Sequence, residues 1–143
     1  LGKTNNLVPV ITQTAIGKRK SMQVFGNDYP TPDGSCIRDY IHVSDVAKAH
    51  VKALDNLYSE KTNNAFEVFN LGTGQGNSVL EVINTFEKVT GVKVNHEITA
   101  RRPGDVIKVY ADNAKANKEL GWKTELDLGQ MLDSAWKWEK QLK

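Results

Sequence analysis

Short strand-like stretches alternate with amphipathic helical stretches along most of this 143-residue chain. Met22–Phe25 reads as a strand, and Val79–Thr90 repeats apolar side chains at helical spacing before Gly91, a residue typical of helix ends. The helical spacing returns after Asp127, a residue type that caps helices. Elements that alternate in this way favour an α/β domain with mixed short strands.

One of the helical stretches carries an apolar stripe that its spacing predicts to be buried. The stretch follows the β-rich residues 36–43, with Ser44 or Asp45 as its predicted cap. Residues 61–65 read as a polar connection, and residues 66–71 as another strand. The stripe consists of Val46, Ala47, His50, Val51, Leu54, Leu57 and Tyr58.

Composition restricts the class of protein. Apolar residues at 39% and charged residues at 25% describe a globular chain, and its length suits one domain. No apolar run approaches the ~20 residues that span a bilayer. The net charge of +2 is too small to indicate a nucleic-acid partner. Cys36 is the single cysteine, which excludes an internal disulfide, and we therefore expect a cytoplasmic protein.

The stretch FNLGTGQGNS raises the question of a dinucleotide site, because its glycines lie between a strand and a helix. The fingerprint G-x-G-x-x-G uses its glycines for a tight turn, pyrophosphate approach and helix packing. Here Gly72, Gly74 and Gly76 are spaced one residue short. Ser78 can cap the helix in place of a phosphate, and the ribose-carboxylate offset of Glu97 arises often by chance. These residues favour a structural turn over a cofactor site.

A second stretch, FGNDYPTPDGSCIRDYIHV at residues 25–43, is more specific. Together with NLGTGQGNSVLEV, RRPGDV and LGW, it resembles the carboxyl-terminal part of the UDP-glucose 4-epimerase family, among the extended short-chain dehydrogenase/reductases. The resemblance covers essentially all of the chain. It implies that residues 1–143 are the UDP-sugar-binding portion of a Rossmann-type enzyme, with mixed short strands and helices. The amino-terminal NAD-binding Rossmann domain is expected to lie outside this chain.

The resemblance also implies an activity. Members of the family are isomerases of galactose metabolism that interconvert UDP-glucose and UDP-galactose through transient NADH and a 4-keto intermediate. A Tyr-x-x-x-Lys pair acts beside NAD, where the tyrosine removes a proton and the lysine lowers the pKa of that tyrosine. Four positions after the tyrosines of this chain stand Asp33, Ser44, Thr62 and Ala114. None of these is lysine, so we expect no catalytic and no cofactor-binding residue here, and no activity of the chain alone. The resemblance further implies that the complete enzyme is a homodimer. We expect neither nucleic acid nor a membrane as a partner.

The first part of a nucleotide-sugar site is implied residue by residue. Asn6 and Leu7 correspond to residues that meet the diphosphate from the start of a helix, where free N–H groups suit anions. Gln23 and Phe25 correspond to the strand beside the uracil, where main-chain groups can bind the edge of the base. The residues alone leave two alternatives open, since Asn6 also suits a simple helix cap and Phe25 also suits a core.

The remaining implied contacts are charged. Arg38 and Arg102 correspond to arginines facing the diphosphate, for which a planar fork of donors is suited. Asp105 corresponds to a carboxylate that accepts from a ribose hydroxyl and can orient Arg102. Without the resemblance, Arg102 reads as a solvated loop charge. Val109 stands where an aromatic residue is expected, with Tyr110 one position later, which leaves specificity for N-acetylated sugars open.

Other residues indicate no further chemistry. The three histidines lie on separate elements without the grouping that a metal site needs, and the tryptophans read as packing residues. Two functional alternatives remain. One is another NAD-dependent nucleotide-sugar enzyme, such as a dehydratase, a decarboxylase or a UDP-glucuronate epimerase. The other is a non-catalytic module that binds nucleotide sugars.

Overall fold

The computed structural model describes residues 5–59 and 66–142, in which helices and short strands alternate as predicted. The helices are α1 (Leu7–Ala15), α2 (Val43–Tyr58), α3 (Val79–Thr90), α4 (Ala114–Leu120) and α5 (Leu128–Glu139). The strands are β1 (Met22–Phe25), β2 (Ile37–Arg38), β3 (Asn77–Ser78), β4 (His96–Thr99) and β5 (Lys108–Val109). The polar connection predicted at 61–65 lies outside the described residues. None of the described helices has the length and apolar character needed to cross a membrane.

Two small sheets organise the described strands. β1 pairs in parallel with β4, in a register that runs from Met22 opposite His96 to Phe25 opposite Thr99. β2 lies between β3, its antiparallel partner, and β5, its parallel partner. Because β1 and β4 run in the same direction, the loops that follow them start at the same end of the sheet, beside each other. Residues far apart in the sequence, 26–35 and 100–105, are brought together in this way.

The main core lies between the first sheet and the helices α1, α3 and α5. Phe86 of α3 is fully buried and meets Trp136 of α5 edge to face, with ring centroids 5.7 Å apart. Trp138, which was predicted to pack, is 63% exposed. The buried members of this core are Ile11, Met22, Val24, Val82, Ile83, Phe86, Val94, Met131 and Leu132.

The helix starts follow local sequence rules with one exception. Ser78 with Glu81 and Asp127 with Gln130 form capping boxes at α3 and α5, which satisfy N–H groups of the first turn. The cap predicted for α2 is wrong, because His42 occupies that position and its Nδ1 accepts from the N–H of Ser44.

Asp45, the other residue proposed as the cap of α2, is fully buried and has a different role. Its Oδ2 accepts from the main-chain N–H groups of Glu125 and Leu126, each at 3.1 Å, and the indole of Trp122 donates to its carbonyl oxygen. It therefore ties α2 to the segment before α5. An acceptor for distant N–H groups cannot be distinguished from a helix cap by sequence position.

The apolar stripe predicted to be buried on α2 is largely exposed. Val51 is 58% exposed and Tyr58 is 80% exposed, whereas the buried side of the helix carries Asp45 and Ala49. Ala49 belongs to a second, smaller core with Ala116, Leu120 and Trp122. No residue of the predicted stripe belongs to this second core.

The strand predicted at residues 66–71 does not form among the described residues. The segment has no regular secondary structure and pairs with no described strand. Exposed and more buried residues alternate along it: Phe66 and Val68 are 79% and 58% exposed, whereas Glu67 and Phe69 are more buried. The alternation of a strand is therefore present, and a neighbouring strand is what the segment lacks.

Glu139, the last residue of α5, links this helix to α1 and to the residues that follow α1. Its side chain, 6% exposed, accepts from the buried Thr12 hydroxyl at 3.0 Å and from Lys18 Nζ at 2.7 Å. Thr12 belongs to α1, and Lys18 follows it. This carboxylate therefore holds the end of α5 against α1.

Replacing Glu139 should destabilise the fold. Glu139→Ala leaves Thr12 and Lys18 without this acceptor, and we expect the free energy of unfolding to fall by about 2–4 kcal/mol. Urea unfolding followed by circular dichroism measures the change. Glu125→Ala, which removes an exposed partner of Lys48, is the control and should cost less than about 1 kcal/mol. Equal losses for the two variants would contradict a role of Glu139 in joining the helices.

Candidate functional site

A cleft of about 720 Å³ opens beside β1, between the start of α1, β2 and the loop after β4. This volume is within the range of small-molecule sites. Separate stretches of the chain form its walls, and the pairing of β1 with β4 and the packing of α1 on the core bring them together. All of the site residues predicted from the resemblance line it: Asn6, Leu7, Gln23, Phe25, Arg38, Arg102 and Asp105.

The main chain of β1 presents alternate residues to the cleft. The N–H groups of Met22 and Gly26 donate to the β4 side, to Asn95 and Thr99, at 3.0 and 2.9 Å. Residues one position away point their main-chain groups to the opposite edge. Gln23 therefore turns its N–H and carbonyl away from β4, as the predicted contact with a base edge requires.

Phe25 is not a core residue. The residue is 37% exposed, and the guanidinium carbon of Arg102 lies 5.3 Å from the centroid of its ring. Arg102 itself is 58% exposed in its side chain. It is thus a surface charge as the residue type suggests, but one held against an aromatic ring at the cleft.

Asp105 lies between the two predicted arginines. Its Oδ1 accepts from Arg102 Nη2 at 2.6 Å and lies 3.7 Å from Arg38 Nη2. The carboxylate is 10% exposed, and the hydrogen bond from Arg102 raises the pKa of that guanidinium further above its usual value. The orienting contact predicted between Asp105 and Arg102 is therefore present, and it gathers two positive charges around one negative charge.

The start of α1 forms another wall of the cleft. Asn6 occupies the N-cap position with extended backbone angles, but its side chain does not cap the helix. Its carbonyl accepts from Val10 N–H at 3.1 Å, which closes the first turn. Asn6 and Leu7 are thus placed with the amide end of the helix toward the cleft.

The lining residues that were not predicted include Arg19, Ser21, Cys36, Tyr40 and Val79. Tyr40 follows Arg38 by two positions, so the period of a strand would have put it on the same side. Burial raises the pKa of Tyr40 to about 12. Val109 and Tyr110 are not among the described residues that line the cleft.

The glycine turn binds a carboxylate of the chain itself. Asp39 accepts from the N–H groups of Thr73 and Gly74 at 3.0 and 3.1 Å, from the Thr73 hydroxyl at 2.6 Å, and from Ala111 N–H at 3.2 Å. A pyrophosphate would need these same amides. The turn therefore does not fit a dinucleotide.

Two of the glycines are explained by close packing. A Cβ on Gly72 would lie 2.3 Å from Asp39 Oδ2, and a Cβ on Gly76 would lie 2.3 Å from Ile37 Cγ2. Glu97 lies on β4, in the other sheet, and accepts from the hydroxyl of Ser21. The resemblance to a fingerprint thus arises from a turn that packs on β2.

Similarity to known proteins gives the family. The family model described as GDP-mannose 4,6 dehydratase matches residues 2–135. The chain belongs to this family. Its relatives include UDP-glucose 4-epimerases of Drosophila melanogaster, 49% identical over 140 residues, and of Yersinia enterocolitica, 52% identical over 139 residues. These alignments cover 98% and 97% of this chain, which spans 40% of the length of each relative.

Solved structures give the same assignment. The chain resembles UDP-glucose-4-epimerase from Stenotrophomonas maltophila, solved with NAD and formylated UDP-arabinopyranose, at a TM-score of 0.93 and 50% identity. It resembles the Bifidobacterium longum enzyme, solved with NAD⁺ and UDP, at a TM-score of 0.89 and 47% identity. Each match covers 98% of this chain and 41% of the other. The predicted resemblance and the short-chain dehydrogenase/reductase fold class are confirmed.

Removing the carboxylate of Asp39 should destabilise the turn and the strands beside it. Asp39→Ala leaves three N–H groups without this acceptor, and we expect a loss of about 2–4 kcal/mol in the free energy of unfolding. Chemical denaturation measures it. Asp112→Ala, which removes an exposed acceptor for Ala114 N–H, should cost about 1 kcal/mol or less. An Asp39→Ala variant as stable as the control would exclude this role.

Proposed function

We propose that this chain is the carboxyl-terminal, UDP-sugar-binding part of an NAD-dependent UDP-glucose 4-epimerase, which interconverts UDP-glucose and UDP-galactose. The observation that carries the proposal is the cleft, in which the described charged residues are Arg19, Arg38, Arg102 and Asp105. Positive charge exceeds negative charge there, as a diphosphate requires. Relatives named UDP-glucose 4-epimerase at 49% and 52% identity support the choice of nucleotide sugar.

In this proposal the diphosphate lies against Arg38, Arg102 and the start of α1. Each arginine offers paired donors in a fixed plane, which suits two phosphate oxygens. Arg38 is held in place because its Nη1 donates to the carbonyl of Ile37 at 2.8 Å. The N–H groups of the first turn of α1, after Asn6, add partial positive charge.

The uridine lies along β1 in the same proposal. Main-chain groups of Gln23 and Phe25 bind the edge of the base, and Asp105 accepts from a ribose hydroxyl. Asp105 can orient Arg102 and bind the ribose at the same time, because Oδ1 accepts from Arg102 and Oδ2 is the oxygen proposed to accept from the ribose hydroxyl. The neutral phenol of Tyr40 adds a polar wall without repelling the phosphates.

The proposal places NAD and the proton-transferring tyrosine in an amino-terminal Rossmann domain outside this chain. The curated relatives are longer, since the chain spans 40% of their length. An apolar surface supports the division, because exposed patches of this kind mark interfaces. Its members on α2 are Val43, Val51, Leu54, Leu57 and Tyr58, each more than half exposed. The complete enzyme is proposed to be a homodimer.

A dehydratase is the second candidate, because the matching family model carries that description. Identities near one half to epimerases favour the first candidate. The sequence of the proposed amino-terminal domain discriminates between them, since a dehydratase adds acid–base carboxylates near its catalytic tyrosine.

This chain alone should have no epimerase activity and should not bind NAD. It lacks the Tyr-x-x-x-Lys pair, and Asp39 takes the amides of its glycine turn. A coupled assay for UDP-glucose formation and titration calorimetry with NAD test the two statements. Saturable NAD binding that weakens in Gly74→Ala would restore the glycine turn as a cofactor site.

In the complete enzyme, Arg38→Ala and Arg102→Ala should each weaken substrate binding. A charge-assisted hydrogen bond is worth about 1.5–3 kcal/mol, so KM should rise roughly ten- to a hundredfold with a smaller effect on kcat. Lysine should restore part of the loss, because it is a point charge without the fork. Lys137→Ala, on an exposed pair with Asp133, is the control. Normal KM with reduced kcat in both alanine variants would contradict the assignment.

A further inference from the structure

The two adjacent arginines of the loop 100–105 have different surroundings. Arg102 lines the cleft, whereas Arg101 turns to the loop that follows β1. Arg101 Nε donates to Asp28 Oδ1 at 2.7 Å, and its Nη2 donates to the main-chain carbonyl of Asp28 at 2.5 Å. The guanidinium therefore holds both the side chain and the backbone of one residue in the other loop.

The ring of Tyr29 completes this contact. The guanidinium carbon of Arg101 lies 4.2 Å from the ring centroid, and Tyr29 is 6% exposed. Gly26, at φ +80°, makes room for both residues, because a Cβ there would lie 2.5 Å from Tyr29 Cε2 and 2.9 Å from Arg101 Cγ. The arginine is thus stacked on a buried ring and is not a freely moving surface charge.

The contact lies where the sheet can no longer hold the two loops together. The hydrogen bond from Gly26 N–H to Thr99 O marks the end of the β1–β4 pairing. Beyond it, Arg101 joins loop 26–35 to loop 100–105. Arg102 comes next in the chain, and Asp105 N–H donates to the Arg102 carbonyl at 3.2 Å, which folds the loop back toward the cleft.

We infer that Arg101 is a positioning residue for the nucleotide-sugar cleft, which clamps loop 100–105 to Asp28 and Tyr29 and so fixes Arg102 and Asp105 at the diphosphate. The inference rests on the proposed function. Arg101 is not among the described residues that line the cleft, so it acts through its neighbours. The hydrogen bond from Arg101 lowers the pKa of Asp28 below its ordinary value, as expected for a carboxylate paired with a guanidinium.

Asp28 makes the inference testable, because a clamp and a simple charge effect predict opposite results. Asp28→Ala removes a negative charge, so long-range electrostatics alone would strengthen the binding of an anion. Loss of the carboxylate would instead weaken it, because Arg101 would keep only the main-chain carbonyl of Asp28 and the Tyr29 ring, and Arg102 and Asp105 would be held less firmly. Arg101→Ala should weaken binding by either route, and it is informative only beside Asp28→Ala.

The experiment is an NMR titration of the 143-residue chain with UDP, a method that measures millimolar dissociation constants. We expect Kd to rise about three- to tenfold in Arg101→Ala and by a smaller factor, about threefold, in Asp28→Ala, which keeps the contacts of Arg101 with the Asp28 carbonyl and the Tyr29 ring. The double variant should be no weaker than the weaker single variant, and Arg101→Lys should recover part of the loss. Lys137→Ala, which removes one exposed charge on α5, should leave Kd within about twofold.

The outcomes separate the two proposals. A folded wild-type chain that does not bind UDP would overturn both the proposed function and the clamp. UDP binding that is unchanged or tighter in Asp28→Ala would overturn the clamp alone. Thermal unfolding of each variant checks that it is folded, and if Arg101→Ala is not, Asp28→Ala decides by itself.

Discussion

The parallel pairing of β1 with β4 is the contact on which the cleft depends. It aligns Phe25 with Thr99, so that two loops separated by more than sixty residues of sequence start side by side. It also turns the main-chain groups of Gln23, a residue that lines the cleft, away from β4. Without this register Arg102, in loop 100–105, would not lie over the ring of Phe25 at the end of β1.

Carboxylates organise the remaining parts of the site. Asp39 binds the glycine turn and Ala111, Asp45 binds the segment before α5, and Asp105 draws Arg38 and Arg102 together. In the first two cases the partners are main-chain N–H groups, for which burial makes an acceptor necessary. In the third the partners are cations that remain partly exposed. Asp39 and Asp45 thus stabilise the fold, whereas Asp105 contributes a negative charge to the cleft and holds two arginines near each other.

Much of the site could be predicted from the sequence because a family resemblance transfers residue positions together. All of the predicted residues line one cleft, although their contacts with a ligand stay predictions. Tyr40 was missed even though its spacing from Arg38 would have indicated it. The exposed face of α2 was predicted to be buried because periodicity identifies an apolar face without showing what covers it. Residues 66–71 were predicted as a strand because alternation indicates extended backbone but not a partner.

The sequence by itself determined the features that depend on neighbouring residues. These are the order of the described helices, the capping boxes at Ser78 and Asp127, and the helix ends at Gly91 and Gly121, whose positive φ angles suit glycine. Only the tertiary structure decided that the amides of the glycine turn belong to Asp39 and that Arg101 holds Asp28 while Arg102 faces the cleft. The physical reason is that local rules act within a few residues, whereas the partner of a charge or an amide is chosen by which distant segments the packed core brings within hydrogen-bond distance.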